Sequence, residues 1–279
     1  MVDHPIQSAR REATSGSGWY AVAARAGLVA KGISYGIVGV LAIKLALGDG
    51  GKATSRPGAL HALASQPFGK VLLTLLAIGL ACYALWRFLQ AFAAQDNGES
   101  MIKEVARRLG YFGRGLVYAA LTVSAVKILL GDGGGQSQNG KAHKTTAVVL
   151  SWPGGTWIVG IAGAILVGIG LWNGYRGLTR KFEDRWRAGG MGETARTWGA
   201  RVGVAGHLAR AVVFSLIGIF LVKAAGEYSP KDAIGLDGAL QKLARANYGP
   251  YLLGLTAAGL VCYGLYCLVD ARYRDVSAR

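Results

Sequence analysis

Three segments of the chain can be written one beneath another. Arg25 to Asp49 reads RAGLVAKGISYGIVGVLAIKLALGD, Arg108 to Asp132 reads RLGYFGRGLVYAALTVSAVKILLGD, and Val204 to Glu227 reads VAGHLARAVVFSLIGIFLVKAAGE. Gly27, Gly110 and Gly206 align, then Lys31, Arg114 and Arg210, then Tyr35, Tyr118 and Phe214. Thirteen residues past each basic position stands a lysine, Lys44, Lys127 and Lys223, followed by a glycine (Gly48, Gly131, Gly226) and an acid (Asp49, Asp132, Glu227). A fixed recurrence of this kind is the mark of a repeat architecture. Each copy holds one apolar run long enough to cross a bilayer, which takes about 20 residues.

The copies continue beyond these segments. Gly58 to Gly69, GALHALASQPFG, matches Gly238 to Gly249, GALQKLARANYG, and both lead into a second apolar run that carries Gly-Leu-x-Cys-Tyr at 79–83 and 259–263. The middle copy departs: SWPGGTW at 151–157 replaces QPFG, and the Cys is missing. Six spans result, at roughly 28–47, 69–91, 110–130, 156–177, 203–225 and 249–269, with no acid inside any of them. The pattern predicts an all-α polytopic membrane protein: six transmembrane helices from three parallel helical-hairpin repeats with pseudo-threefold symmetry about the membrane normal, a linear array of the hairpins being the alternative. It divides the chain into a cytoplasmic segment (1–24), repeat 1 (25–92), repeat 2 (93–178), a basic connection (179–202), repeat 3 (203–270) and a cytoplasmic tail (271–279).

Composition agrees. Of 279 residues, 52% are apolar, 16% are charged and 43 are Gly, against about 25% charge and 7% Gly in a soluble domain. Three cysteines exclude a disulfide scaffold. The net charge of +16 is unevenly spread. Of the 31 Lys and Arg, 20 fall at the end shared by the termini and the 2–3 and 4–5 connections. The positive-inside rule then places both termini in the cytoplasm. That bias explains the charge beside anionic lipid without invoking nucleic acid. The first 26 residues are polar and lack the apolar core of a signal peptide.

The repeat resembles the bacterial membrane family catalogued as domain of unknown function 1206. The elements that carry the likeness are the Lys31-Gly32, Arg114-Gly115 and Arg210-Ala211 pairs, Gly-Ala-Leu at 58–60 and 238–240, Gln-Pro-Phe-Gly at 66–69 and Ala-Arg-Tyr-Arg at 271–274. The resemblance implies three tandem two-helix repeats in a bacterial inner (plasma) membrane and implies no activity.

Function is expected from the recurring residues. Lys44, Lys127 and Lys223 each precede a helix-ending glycine, where a cation complements the helix dipole and a nearby acid (Asp49, Asp132, Glu227) can pair with it. Their other reading is a ring that attracts an anion or lipid headgroup at an external vestibule. Lys31, Arg114 and Arg210 are expected to face lipid headgroups on the cytoplasmic side. The short GALHALAS and GALQKLAR stretches are expected as amphipathic helices that lie flat at the interface or plug the mouth of the bundle, the second capped by Asp237. Cys82 and Cys262 read as buried packing residues, and His4, His61, His143 and His207 are too scattered for a metal site. No cofactor, metal or catalytic set is implied, so an enzyme is not expected. Two functions remain: a non-enzymatic accessory protein that binds the bilayer, anionic lipids or other membrane proteins, or a small transporter or channel. Membrane-centre carboxylates that coupled carriers use are absent from the spans.

Overall fold

The computed structural model describes residues 17–48, 54–92, 101–131, 138–186 and 191–274. Nine α-helices occur among them: α1 (Ser17–Ala46), α2 (Arg56–Ala64), α3 (Gly69–Phe92), α4 (Met101–Leu129), α5 (Gln138–Leu150), α6 (Gly155–Leu178), α7 (Glu193–Gly226), α8 (Leu236–Ala244) and α9 (Gly249–Tyr273). Six of them, α1, α3, α4, α6, α7 and α9, are long and apolar enough to cross a membrane. Lipid offers no partner for a backbone N–H or C=O, so each crossing satisfies its own. The molecule is a multi-pass membrane protein built from helices. Its apolar exterior, with Leu75, Ile161 and Leu255 all more than half exposed, is the surface a bilayer covers.

The turn inside each hairpin repeats closely. Phe68, Gly154 and Tyr248 all adopt left-handed backbone, with φ of 59°, 75° and 59°. The next residue, Gly69, Gly155 or Gly249, sits so close to the preceding helix that a Cβ would run into the carbonyl of Leu63, Val149 or Ala244. SWPGGTW in the middle copy therefore makes the same turn as QPFG. Gly48 and Gly131 stop α1 and α4 in the left-handed conformation, with φ of 81° and 85°, as their position after a lysine predicts. At the third copy the left-handed residue is Tyr228 rather than Gly226.

Helix packing follows one rule applied three times. The second span of each repeat lies along the first span of the next: α3 on α4, α6 on α7, and α9 back on α1. Within repeats, α1 packs on α3 and α7 packs on α9. The corresponding pair of repeat 2, α4 and α6, scarcely touches. The spans accordingly form an arc in the order α4, α3, α1, α9, α7, α6, and the α1–α9 crossing joins its two arms. Without a hydrophobic drive between helices in lipid, close backbone approach holds such crossings. A Cβ on Gly32 would lie 2.8 Å from the Gly264 carbonyl, and one on Gly218 2.7 Å from that of Gly163.

Four expectations are adjusted. The 4–5 connection is shorter than 179–202, because α7 begins at Glu193. Phe182 in that connection is fully buried, stacked on His207 with centroids 4.9 Å apart. Helix α9 runs past 269 to Tyr273 and so includes an acid, Asp270, only 2% exposed and held by Arg274 at 3.0 Å. The short helices α2 and α8 pack into the bundle rather than resting in the interface, with Leu60 and Leu240 fully buried. Asp237 is not the cap of its own helix. It is the second residue of α8, and its Oδ2 accepts from the Asn139 N–H at the start of α5 (3.3 Å), while Asn139 Oδ1 accepts from Gly235 N–H (3.1 Å). Each helix start is thus satisfied by the other's side chain, tying repeat 3 to repeat 2.

Candidate functional site

The repeat-related cations behave in two ways. Lys44, Lys127 and Lys223 are all exposed at the last turns of α1, α4 and α7. Lys223 is engaged by Asp232 (3.3 Å) and Glu227 (3.6 Å). Asp49 and Asp132, the matching acids of the first two copies, lie outside the described residues. The pairing expected between lysine and following acid is therefore visible at Lys223–Glu227. Asp232 is a third member that spacing did not announce. The Ser229 hydroxyl and the Lys223 ammonium hold the Asp232 carboxyl below its ordinary range.

Lys31 and Arg210 do not face lipid headgroups; both turn inward. The Lys31 ammonium lies 5.9 Å from the Tyr83 ring centre and 5.1 Å from that of Tyr263. The Arg210 guanidinium donates from Nη1 to the Tyr263 hydroxyl (2.6 Å) and stacks over that ring at 4.4 Å. The reason is the same in both repeats. Gly27 and Gly206, one turn earlier, let Tyr83 and Tyr263 of the hairpin partner come into backbone contact. That brings each tyrosine beside the basic residue one turn on. Tyr35 fills the space between, with its ring edge-on to Tyr263 at 4.9 Å.

Two cations join that have no counterpart in the other repeats. Arg87 on α3, 3% exposed, donates to the Tyr83 hydroxyl and to Gln90 Oε1, each at 2.6 Å, and lies 4.2 Å over Trp86. Arg56, first residue of α2, reaches down from the opposite end, 5.3 Å over Tyr35 and 5.5 Å over Tyr118. Its repeat-3 equivalent is Leu236, so repetition in the sequence concealed it. Tyr83 and Tyr118 meet with ring centres 4.3 Å apart and planes tilted by 58°, closing the cluster between α3 and α4.

Arg114 departs from its counterparts. It remains exposed, over Tyr111 at 5.5 Å, yet within electrostatic reach of Arg87, Tyr83 and Arg210. The centre thus gathers Lys31, Arg56, Arg87 and Arg210, with Arg114 at its open edge. Among the described residues no carboxylate forms an ion pair with any of the five. Asp270 is taken by Arg274. The Nε of Arg87 and of Arg210 is buried without an acceptor. A buried ion retains a penalty of several kcal/mol. A cation–π contact returns only about 0.5–2 kcal/mol. Of the four, Arg87 is buried and Lys31, Arg56 and Arg210 are half-buried, so the phenols answer only part of the cost of holding these like charges together. Among the described residues there is no cluster of His, Cys, Asp or Glu that could hold a metal ion.

The chain belongs to the family described as Domain of Unknown Function (DUF1206), which matches three times, at residues 26–94, 109–180 and 205–274. These bounds coincide with the three hairpins. The chain is also similar to the uncharacterized protein YxxB of Bacillus subtilis (strain 168), with 32% identity over 260 residues and 93% of each chain covered. No solved structure matches.

Proposed function

We propose that this member of the DUF1206 family is a non-enzymatic membrane protein that holds an anionic group, from lipid or from a membrane partner, at its centre of cations and tyrosines. The observation that carries the reading is the gathering of Lys31, Arg56, Arg87 and Arg210 with no carboxylate paired to them among the described residues. Charges inside a membrane mark functional positions because they are costly to keep. Guanidinium groups suit phosphate or carboxylate ligands, since their planar forks bond two oxygens at once. We place both termini in the cytoplasm of a bacterial plasma membrane; the 20 of 31 basic residues at that end support this.

The test uses the full chain purified in a zwitterionic detergent. Its thermal unfolding is followed while inorganic phosphate, or the anionic lipid phosphatidylglycerol, is titrated at constant ionic strength. A ligand that binds the folded state raises Tm in a saturable way. We expect such a rise with at least one of the two and its loss in Arg210→Met. Arg210→Met loses the Tyr263 hydrogen bond together with one of several repelling charges, so each rise is read against the variant's own ligand-free Tm. A response to neither ligand, or equal responses from wild type and Arg210→Met, overturns the reading.

A further inference from the structure

The arc of spans is closed everywhere except between α4 and α6, and the sequence contains the reason. In repeats 1 and 3 the hairpin closes because Gly79 and Gly259 admit the partner span. A Cβ on Gly79 would come 2.9 Å from the Ala30 methyl, and one on Gly259 2.5 Å from the Ala209 methyl. Four residues on, Tyr83 and Tyr263 press against Gly27 and Gly206. Counted from the shared turn glycine (Gly69, Gly155, Gly249), the same two positions of repeat 2 are Ile165 and Ile169. A branched side chain replaces hydrogen at the point of closest approach, and the tyrosine that would meet α4 is gone. Gly110, facing that position, has no neighbour from another helix within 4 Å of where its Cβ would stand. Ile165 and Ile169 are 58% and 39% exposed.

The two sides of this seam differ in chemistry. The α6 side presents Ile165 and Ile169, which are apolar. The α4 side presents Gly110 and, one turn further, Arg114, a cation left exposed because its tyrosine is absent. Arg114 is also the member of the central cluster nearest the opening. An occupant therefore needs a hydrocarbon part to lie on the isoleucines and a negative group to meet Arg114. A soluble anion supplies only the second, and an apolar helix only the first.

We infer that the α4–α6 seam admits an anionic phospholipid sideways from the bilayer, its phosphate at Arg114 and directed toward Lys31 and Arg210, its acyl chain along Ile165 and Ile169. The inference rests on the anion-holding centre proposed above and adds the route and the chemical class. The seam lies near the end of α4 that begins at Met101, one turn beyond Gly110, so the lipid comes from the leaflet on the side of the termini. The phosphate bonds to guanidinium as an anion, and no covalent step is involved.

The experiment is native mass spectrometry of the full chain, titrated in detergent with phosphatidylglycerol or with phosphatidylcholine of the same acyl chains. Thermal unfolding with inorganic phosphate runs in parallel. Wild type should bind one phosphatidylglycerol saturably and prefer it to phosphatidylcholine at least tenfold. Arg114→Gln should reduce that preference about fivefold or more, and Arg114→Lys should restore part of it. Arg114 is exposed, so its removal leaves the fold intact, and an unchanged Tm of the ligand-free variant checks this. Ile169→Trp, which fills the seam without altering charge, should weaken lipid binding while leaving any response to phosphate unchanged. A phosphate response without phosphatidylglycerol binding overturns the lipid inference and leaves the anion centre standing. Silence with both ligands overturns both. Equal binding of the two lipids, insensitivity to Arg114→Gln, or a dimer that masks the seam also overturns the lipid inference.

Discussion

Hairpins 1 and 3 are shut, and hairpin 2 is open, although all three share the same turn, the same leading glycine and a basic residue at the same position. The difference comes down to two positions on the returning helix. Where they are Gly and Tyr, the helices touch and the tyrosine draws Lys31 or Arg210 inward. Where they are Ile and Ile, the helices stand apart and Arg114 stays at the edge. Repetition fixes the direction and length of the spans, while single deviations from it fix which surfaces are left for something else to fill.

The largest test of this contrast is Gly259→Ile, which puts the residue of the open hairpin into a closed one. The new side chain would meet the Ala209 methyl and the Ala205 carbonyl. Overpacking costs about 1–3 kcal/mol, and Arg210 also loses its Tyr263 acceptor as the helices part. We expect the largest fall in Tm of any single change here, with Arg210 becoming accessible in hydrogen exchange of its helix. The opposite change, Ile165→Gly with Ile169→Tyr, gives repeat 2 the closing residues. If these two positions decide the matter, α4 and α6 should approach, raising crosslinking between Cys introduced on α4 and on α6 one turn away from the changed positions, compared with the same Cys pair in the unchanged chain. The gain from one hydrogen bond of the new tyrosine to Arg114 is about 1.5–3 kcal/mol for a charged partner. An unchanged crosslinking yield would show that closure depends on more than these side chains.

Smaller effects come from ties that do not distinguish open from closed. Asp237→Ala removes the cap on α5 and unpairs Asn139, and helix caps are worth about 0.5–2 kcal/mol. Amide exchange should rise at the start of α5 more than within any span. The smallest effect belongs to Lys44, Lys127 and Lys223. They recur in all three hairpins alike and are exposed in each, and the triple change to Met should alter Tm within the scatter of surface substitutions, about 0.5 kcal/mol each way. The Lys223–Asp232 contact adds a pH signature. Because the folded carboxyl titrates below its unfolded value, its stabilising part is present at neutral pH. It fades as pH falls below the ordinary carboxylate range and through the folded pKa. Asp232→Asn should remove that acid-limb dependence.

Spans, turns and hairpin bounds were legible because each rests on short-range pattern: an apolar run, a glycine stop, a repeated dipeptide. The altered second half of repeat 2 was legible too, as a missing Cys and a changed motif, though not its outcome, since closure is a contact between helices about 50 residues apart. The centre was hidden for a different reason. Lys31 and Arg210 lie within two turns of the start of their apolar runs, where either headgroup or interior is within reach, and the tyrosine that decides sits on another span. Arg56 was hidden because the copies do not share it, and Arg87 because its counterparts are Asn173 and Cys267. Asp237 carries the chemistry of a cap in its sequence but serves a helix about 100 residues away.

The crossing of α1 on α9 is the place where the two arms of the arc meet, with Gly32 and Gly264 backbone to backbone at its centre. One arm is α1 to α4; the other is α5 to α9. A side chain at either glycine would meet the other helix's backbone, 2.8 Å from the Gly264 carbonyl or 2.7 Å from that of Gly32, so the two arms can lie this close only because neither residue has a side chain.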